Sequence, residues 1–326
     1  MSIDRHWQRL TPLSLALFPL SLLFRAVVAA RRFAYRAGWL RSHRVGVPVV
    51  IVGNIAAGGT GKTPLVLWLT DLLRRRGWRP GIVSRGYGAP ASGARAVAPD
   101  ACAADVGDEP VLLARRSQCP VWVGTDRVAA ARALLAAHPS CNVLVLDDGL
   151  QHYALGRDIE IAVVDGARGF GNGLMLPAGP LREPPARLAT VDAVVVNGAA
   201  ERRLPHRAHG MRLEGRGFRN LVDAAQEVGP EYFRGRRVHA IAGIGNPQRF
   251  FAHLEALGLS FEAQPFPDHH AYTPREIEFP AADAVVMTEK DAVKCAPFAS
   301  RKHWVLPVDA APDSELGELV LRKLRP

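Results

Sequence analysis

Cysteine and long apolar segments are both scarce in this sequence, and each shortage excludes a class of protein. The four cysteines, Cys102, Cys119, Cys141 and Cys295, are scattered and form no C-x-x-C pair. This spacing argues against a disulfide framework and against a zinc knuckle, and it favours a reducing compartment. No apolar run reaches the roughly 18 to 20 residues that span a bilayer reliably, which excludes a polytopic membrane protein.

Lysine is the third scarce residue. Only five of the 41 basic residues are lysines, so 41 − 5 = 36 are arginines. Lys62 is the only lysine among the first 289 residues. Arginine presents a planar fork of donors, whereas lysine presents a compact ammonium group. A solitary lysine in an arginine-rich chain therefore indicates a site that requires an ammonium group.

The chain is long enough for about two domains, and it carries a strong positive charge. Its 326 residues correspond to roughly two domains at about 150 residues each. Hydrophobic residues make up 48% and charged residues 22% of the sequence, so the chain can bury a core and is not disordered. The net charge of +10 favours an anionic partner such as a membrane leaflet. We expect no nucleic-acid partner, because the arginines are dispersed and no aromatic-interleaved recognition motif accompanies them.

The amino-terminal segment combines an apolar run with a basic flank. Residues 10–24 read LTPLSLALFPLSLLF and are followed by several arginines up to Arg36. We predict a membrane-associating helix over residues 1–40, with apolar side chains in the lipid and arginines at anionic headgroups. A cleaved signal peptide and a helix packed on the protein's own core are the alternatives. The signal peptide fits poorly with the nucleotide-binding pattern that follows, because nucleotides belong to the cytosol.

Short runs rich in valine and isoleucine alternate with helical stretches along most of the chain. The runs with the length of buried parallel strands are 47–54, 80–86, 120–124, 142–149, 159–166 and 192–198. Helical stretches separate several of them, at 63–77, 108–116 and 126–138. This alternation predicts an α/β fold with a doubly wound, mostly parallel sheet.

The same patterns predict the domain organisation. A nucleotide-binding domain is expected over residues 41–210, followed by a linker over 211–237 that is rich in arginine and glycine. A smaller carboxy-terminal α/β domain over 238–326 is expected to close the cleft. It begins with the apolar run VHAIAGIGN, and its later strand at 283–288 runs into EKDAVK.

A glycine-rich segment between a predicted strand and a predicted helix has the pattern of a P-loop. Residues 53–63 read GNIAAGGTGKT, in which Gly58, Gly59 and Gly61 let successive backbone N–H groups turn toward phosphates. Lys62 would reach the β- and γ-phosphates of a nucleotide, and Thr63 would ligate Mg²⁺. The first glycine of the usual pattern is replaced by alanine, which needs only an ordinary backbone conformation there. The predicted nucleotide-binding residues are Ala56, Ala57, Gly58, Gly59, Thr60, Gly61, Lys62 and Thr63.

A strand that ends in two acids supplies the expected partner of the P-loop. The segment VLVLDDGLQH (143–152) places Asp147 and Asp148 at the end of a buried strand. Such a carboxylate holds Mg²⁺ in P-loop proteins. Neighbouring side chains on a strand point to opposite faces, so we expect one aspartate to face the metal and the other an adjacent loop. The alternative is a turn capped by aspartate and glycine.

Two further motifs contain candidate acid–base residues. GDEP (107–110) places Asp108 and Glu109 where a helix begins, so Asp108 is a candidate general base and Glu109 a candidate Mg²⁺ neighbour. The alternative for both is a simple helix cap. FPDHHAYTP (266–274) places His269 and His270 in a loop, where one histidine could orient the base. The alternative there is a surface pair without a role.

Three motifs at predicted strand ends present arginines. SRGYG (84–88), GTDR (124–127) and GPLREP (179–184) follow strands or lie in proline-fixed loops. Their arginines could together form a clamp for a phosphorylated substrate, since guanidinium groups bind phosphate bidentately. Any single one of them could equally be a solvated surface residue.

These motifs together resemble the tetraacyldisaccharide 4′-kinase family of lipid A biosynthesis. The resemblance rests on GNIAAGGTGKTP, SRGYG, GDEP, GTDR, DDGLQH, LPAGPLREP, FPDHHAY and MTEKDAVK, in this order. It extends from the apolar amino-terminal segment to about residue 295, and DDGLQH, GPLREP and TEKDAVK are its most specific parts. It implies an ATP-dependent kinase that phosphorylates the 4′-hydroxyl of a tetraacylated glucosamine disaccharide 1-phosphate to form lipid IVA.

The resemblance also implies a role for individual residues. Asp108 is implied as the catalytic base, His269 as its partner and Lys62 as a third catalytic residue, while His270 stays open as an alternative to His269. The implied metal residues are Thr63, Glu109, Asp147 and Asp148. The implied substrate residues are Arg85, Tyr87, Arg127, Gln151, His152, Arg182 and Glu183.

The resemblance implies ATP and Mg²⁺ as cofactors and the cytoplasmic face of the bacterial inner membrane as the location. The enzyme would be peripheral there, or held by a single amino-terminal anchor, with an acylated disaccharide 1-phosphate lipid and the anionic leaflet as partners. We expect no obligate protein partner. The main rival is a P-loop switch that hydrolyses ATP or GTP to drive a partner in metal insertion or protein targeting. A non-catalytic membrane adaptor is a third hypothesis.

Overall fold

The structure, a computed structural model, describes residues 4–87, 93–199 and 208–324. The strands are β1 (Val49–Gly53), β2 (Pro80–Ser84), β3 (Arg95–Ala96), β4 (Val121–Val123), β5 (Val143–Asp147), β6 (Ile159–Asp165), β7 (Ala193–Asn197), β8 (His209–Glu214), β9 (Phe218–Asn220), β10 (Glu227–Val228), β11 (Val238–Ala242), β12 (Glu262–Pro265), β13 (Ala284–Thr288), β14 (His303–Leu306) and β15 (Asp309–Pro312). The α-helices are α1 (Asp4–Gln8), α2 (Pro12–Arg36), α3 (Lys62–Arg75), α4 (Ala103–Val106), α5 (Asp108–Ser117), α6 (Arg127–Ala137), α7 (Pro247–Ala256), α8 (Pro274–Ile277), α9 (Glu289–Cys295) and α10 (Ser314–Leu324). Parts of the predicted regions lie outside the described residues, namely 1–3 of the amino-terminal segment, 88–92 (with residue 88 of SRGYG) and 200–207 of the nucleotide-binding domain, and 325–326 of the smaller domain.

A nine-stranded sheet forms the larger unit. Its strand order is β15-β8-β7-β6-β1-β5-β2-β4-β3, and only the edge strands β15 and β3 pair antiparallel with their neighbours. All residues of β1, β2, β5 and β7 are buried, which is why these strands are continuous apolar runs instead of alternating ones. The carboxyl ends of β1, β2, β4, β5 and β6 therefore meet at one edge, where open α/β sheets bind ligands.

A six-stranded sheet forms the smaller unit. Its order is β10-β9-β14-β13-β11-β12, with a parallel centre of β14, β13, β11 and β12. Trp304, Phe218 and Phe233 are buried in one cluster against it, and Phe233 contacts both Phe218 and Trp304 edge-on. The fold is thus α/β with parallel sheets, and the predicted fold class is confirmed.

Strand pairing divides the chain differently from the predicted boundaries. The predicted linker over 211–237 contains most of β8, which pairs with the first sheet, and also β9 and β10, which belong to the second. Residues 309–324, predicted within the smaller domain, return to the larger one, where β15 pairs with β8 and α10 packs on α3. Local patterns predict where strands lie, but pairing between distant segments decides which sheet each one joins.

The amino-terminal helix α2 is longer than the apolar run that predicted it. It extends over 25 residues, begins after an N-cap at Thr11 and is, within the described residues, the one helix long and apolar enough to cross a membrane. Only Ser14 and Ser21 of this helix are buried, so the alternative of a helix packed on the protein's own core does not describe it. The Ser21 hydroxyl donates to Met175 O at 2.6 Å and accepts from Ala178 N, which attaches the helix by polar contacts.

Candidate active site

The P-loop joins β1 to α3 at the centre of the larger sheet. Gly58 and Gly61 have φ angles of 95° and 90°, which lie in the left-handed region that favours glycine. Gly61 is also the residue before α3, and no side chain caps this helix start. The first N–H groups of α3 are therefore free to face an anion, and the helix dipole favours a negative charge there.

The entrance of the P-loop pairs with the GPLREP loop. Ala56 forms an isolated bridge with Leu181, and Ala57 N donates to Pro180 O at 2.8 Å. Ala56 is not among the non-glycine residues of positive φ, so alanine fits the position that usually holds glycine. This pairing brings Arg182 next to the P-loop, since Arg182 N donates to Ile55 O at 2.7 Å.

Asp148 lies between two cations at the end of β5. Its carboxylate is 3.6 Å from Lys62 Nζ and 3.0 Å from Arg182 Nη1. Burial would raise the pKa of Asp148, but Lys62 and Arg182 outweigh burial and lower it to about 2. Asp148 is therefore ionised at neutral pH, and it connects the P-loop lysine to the GPLREP loop.

Asp147 differs from its neighbour because its carboxylate has no hydrogen-bond partner among the described residues. It is 1% exposed, and neither carboxylate oxygen accepts a hydrogen bond. Burial, followed by the negative charge of Glu109, raises the pKa of Asp147 to about 8. A buried carboxylate without a partner is unfavourable unless something else satisfies it, and a cation would do so.

These residues fit a magnesium ion that shares its ligands with a nucleotide. Mg²⁺ is usually held by one or two carboxylates together with phosphate oxygens and water. Over residues 4–87, 93–199 and 208–324, no group of three or more His, Cys, Asp or Glu side chains could hold a metal ion. The partnerless oxygens of Asp147, near the start of α3 with Thr63, therefore suit an ion that arrives with phosphates.

Asp108 and His269 form a pair across the two units. His269 Nδ1 lies 3.1 Å from both oxygens of Asp108, the first residue of α5. Burial would raise the pKa of Asp108, but the hydrogen bond from His269 and the nearby lysines lower it. Burial would lower the pKa of His269, but Asp108 raises it. His270 instead faces Glu276, at 3.1 Å from Oε1.

Two lysines that the sequence analysis did not assign to the site complete this pair. Lys290 and Lys294 both lie on α9 and face α5. Lys290 Nζ is 3.2 Å from Glu109 Oε1 and 3.2 Å from His269 Nε2, and Lys294 Nζ is 3.6 Å from Asp108. Two features of the sequence could have identified these lysines, namely the EKDAVK motif and the scarcity of lysine in the chain.

The predicted arginine clamp is only partly assembled. Arg182 reaches Asp148, whereas Arg127 is 7% exposed, with Nη1 donating to Thr125 O at 2.9 Å and Nε unpartnered. Burial, and next the charge of Arg85, lowers the pKa of Arg127 to about 10. Burial and Arg127 likewise lower the pKa of His152 to about 4. Within residues 4–87, 93–199 and 208–324, the three arginines of the predicted clamp thus share no common contact partner.

Other predicted substrate residues fall into two groups. Tyr87 packs its ring on His269, with centroids 4.8 Å apart, and so lies at the Asp108–His269 pair. Gln151 Nε2 donates to Asn54 O and to Glu183, both at 3.0 Å, and the Tyr153 hydroxyl also donates to Glu183. Glu183 is 1% exposed, so in this structure it does not face open space. It contacts the start of the P-loop indirectly, through Gln151 and Asn54.

One cavity connects the two units. It has a volume of about 510 Å³ and is lined by Lys62 and Thr63 of the P-loop and by Glu109 of α5. The smaller unit contributes residues 244–246 and Lys290 to the opposite wall. The arrangement can hold an anionic ligand between backbone N–H groups and ammonium groups, next to a buried carboxylate paired with histidine.

Known proteins resemble this chain over nearly its whole length. The sequence model of the family described as Tetraacyldisaccharide-1-P 4′-kinase matches residues 13–325. The Tetraacyldisaccharide 4′-kinase of Methylobacillus flagellatus is 51% identical over 324 residues, which cover 99% of this chain and 95% of that protein. The protein of the same name from Alkalilimnicola ehrlichii is 56% identical over 305 residues, covering 93% of this chain and 90% of that one.

A solved structure agrees with these relatives. The "apo" form of LpxK from Aquifex aeolicus in complex with ATP has a TM-score of 0.79 and 28% sequence identity, covering 96% of this chain and 99% of that one. The predicted family and the predicted class of enzyme, a kinase, are thereby confirmed. On the family match and on these near-complete similarities, the chain belongs to the tetraacyldisaccharide 4′-kinase family.

Proposed function

We propose that this protein transfers the γ-phosphate of ATP to the 4′-hydroxyl of a tetraacylated glucosamine disaccharide 1-phosphate and forms lipid IVA. The relatives bear the name of this activity, and the similar solved structure holds ATP. One observation carries the proposal. A single cavity is lined by the P-loop residues Lys62 and Thr63 and by Glu109. Glu109 is the next residue in the chain after Asp108, whose carboxylate contacts His269.

The charges of the site suit phosphoryl transfer to a hydroxyl group. Asp108 accepts the hydroxyl proton, because its lowered pKa keeps the carboxylate ionised at neutral pH. His269 holds that carboxylate through Nδ1, and Lys290 holds His269 from Nε2. Lys62 offsets the negative charge of the phosphoryl group during transfer. The oxygen of the sugar then bonds to phosphorus, and ADP leaves.

Magnesium completes this assignment. Of the predicted metal residues Thr63, Glu109, Asp147 and Asp148, Thr63 and Asp147 would hold the ion, and Asp147 is the main carboxylate because its oxygens have no hydrogen-bond partner among the described residues. Glu109 instead pairs with Lys290. When bound, Mg²⁺ neutralises charge on the phosphates. Asp148, already paired with Lys62 and Arg182, orients the P-loop lysine.

The acceptor sugar is assigned to the residues around the catalytic pair and the carboxyl ends of β2, β4 and β5. These residues are Arg85, Tyr87, Arg127, Gln151, His152, Arg182 and Glu183. Arginines suit an acceptor that carries a phosphate. Gln151 and Glu183 support the P-loop. Gln151 donates to Asn54 O, and Glu183 accepts from Gln151 and from the Tyr153 hydroxyl.

The lipid nature of the acceptor places the enzyme at a membrane, which we propose to be the cytoplasmic face of the bacterial inner membrane. Helix α2 leaves Leu15 and Leu23 each 63% exposed, and Trp39 beyond its end is 75% exposed. Exposed apolar side chains on one long helix favour lipid contact, and the +10 charge of the chain suits an anionic leaflet.

The test is product mapping. Pure protein is incubated with γ-labelled ATP, Mg²⁺ and a tetraacylated disaccharide 1-phosphate, and the position of the new phosphate is determined. We expect label at the 4′ position and none without lipid. ATP or GTP hydrolysis that needs a protein partner but no lipid would instead support the nucleotide switch, and an absence of ATP consumption would support the adaptor.

A further inference from the structure

Three side chains hold three consecutive carbonyl groups of the P-loop. The carbonyls are those of residues 58–60. Asn54 Nδ2 donates to the first at 3.2 Å, Arg168 Nη2 donates to the second, and Asn197 Nδ2 donates to the third at 3.0 Å. Arg168 and Asn197 come from distant parts of the chain, at the ends of β6 and β7.

These bonds fix the direction of the backbone N–H groups that follow. In a trans peptide, the C=O group and the next N–H group point to opposite sides, and these peptides are trans. The N–H groups of residues 59–61 therefore point away from the three donors. Among the described residues, none accepts a hydrogen bond from these N–H groups. Successive backbone N–H groups without a partner are a recurring way of binding anions.

The two asparagines are buried, so their positions are fixed before any ligand arrives. Asn54 is 0% and Asn197 is 2% exposed. A Cβ atom at position 61 would overlap Asn197 Nδ2, so the glycine there is required by this contact as well as by its φ angle. Asn54 is itself held through its carbonyl, which accepts from Gln151 Nε2 at 3.0 Å.

Arg168 is fixed from two sides and links the P-loop to the smaller unit. Its Nε donates to Asp165, the 2%-exposed last residue of β6, at 3.1 Å. Its Nη1 donates to Gly245 O of the smaller unit at 3.0 Å. A Cβ atom at position 58 would lie 2.9 Å from Nη1, so a side chain there would displace the guanidinium group of Arg168. Arg249 of α7 donates to the same Asp165 at 2.6 Å.

We propose that Asn54, Arg168 and Asn197 are positioning residues, which aim the N–H groups of residues 59–61 at the β- and γ-phosphates of ATP. They act through the P-loop backbone, and Arg168 extends this support to the smaller unit. The inference rests on the proposed function, because ATP supplies the anion.

The experiment compares two variants with a matched control. Asn197→Leu removes the side-chain amide that donates to Thr60 O and adds no charge. Arg168→Lys keeps the positive charge but removes the guanidinium group, whose two Nη atoms donate to Gly59 O and Gly245 O. Asn220→Leu is the control, because Asn220 is 1% exposed and also donates to a backbone carbonyl, Arg301 O, in the smaller unit. Dissociation constants are measured for a non-hydrolysable ATP analogue and, by competition, for AMP, which lacks the β- and γ-phosphates.

We expect Asn197→Leu to weaken binding of the ATP analogue about tenfold to a hundredfold, and Arg168→Lys less, while the affinity for AMP stays unchanged. The control should bind both ligands as the parent protein does. Unchanged affinity for the ATP analogue, or equal losses for both ligands, would overturn the inference. If Asn197→Leu does not fold by circular dichroism, Arg168→Lys decides alone. A parent protein that binds no ATP would instead remove the proposed function.

Discussion

A single buried carboxylate, Asp108, is the residue on which the proposed proton transfer depends. Asp108→Asn removes the base but keeps the shape of the side chain, so we expect kcat to fall by about 10²–10⁴-fold with the fold intact. His269→Gln should lower kcat less, because it removes the orienting partner and keeps the base. Steady-state kinetics with the lipid acceptor measures both effects.

His270→Gln is the matched control for His269→Gln. The two histidines are adjacent, but His270 Nε2 faces Glu276 and its ring stacks on Phe266. We expect near-normal kcat for this control. A loss in His270→Gln equal to that in His269→Gln, or near-normal turnover of Asp108→Asn, would contradict the assigned roles.

The pH dependence of stability depends in part on His152. Burial, followed by the charge of Arg127, lowers the pKa of His152 from 6.5 to about 4 in the folded chain. The unfolded chain therefore binds a proton near pH 5 that the folded chain does not. Stability that is present above pH 6.5 is lost as the pH falls toward 4.

Between pH 7 and pH 5, we expect the free energy of unfolding to fall by about 1 kcal/mol less in His152→Gln than in the parent protein. The difference is smaller than the full pKa shift implies, because the side chain is partly solvated. Urea unfolding of both proteins at pH 7 and pH 5 gives the two differences in the free energy of unfolding. If the variant loses as much stability as the parent chain, the histidine is not buried in its neutral form.

Residue types and spacing predicted much of this site but not all of it. Lys62, Asp108 and Asp148 were identifiable because a P-loop, a helix start and a strand end each define where a side chain lies. Lys290 was not identified, although its ammonium group contacts both Glu109 and His269. Its contacts are between two units, and local sequence carries no information on which helix faces which.

At the scale of elements, α2 leaves most of its side chains exposed. Its buried side chains are serines, while five of its leucines and Val27 are exposed, which reverses the usual arrangement of a surface helix. We expect Leu15→Gln with Leu23→Gln to weaken binding to anionic vesicles at least about a hundredfold, since each leucine contributes about 1.5 kcal/mol or more in lipid. Vesicle co-sedimentation measures the change.

Val222→Gln is the control for this experiment. Val222 is also an exposed apolar residue, at 54%, but it follows β9 in the smaller unit. It should not change vesicle binding. If the double variant of α2 binds vesicles as tightly as the parent protein, the helix has a folding role only.

At the scale of the whole molecule, the two units share the cavity lined by Lys62, Thr63 and Lys290. A ligand that binds only the folded chain stabilises it by mass action, so an ATP analogue with Mg²⁺ at 100 times its dissociation constant should add about 2.7 kcal/mol to the free energy of unfolding. Lys62→Met should abolish most of this gain. Denaturant unfolding with and without ligand is the measurement.

Lys302→Met is the matched lysine control. Lys302 Nζ donates to Phe279 O in the smaller unit, and Lys302 is not among the residues that line the cavity. This variant should retain the full ligand-induced gain. A gain that is equal in Lys62→Met and in the parent protein would show that the P-loop lysine does not bind the nucleotide.

The sequence by itself determined the α/β class, the P-loop and the family, because strand length, helix starts and phosphate-binding turns are local features with local causes. Only the tertiary structure decided that β15 and α10 return to the first sheet, that His269 and not His270 meets Asp108, and that Arg168 reaches the P-loop. These features depend on contacts between segments far apart in the chain. Such contacts are selected by the packing of whole sheets and helices, which no short stretch of residues specifies.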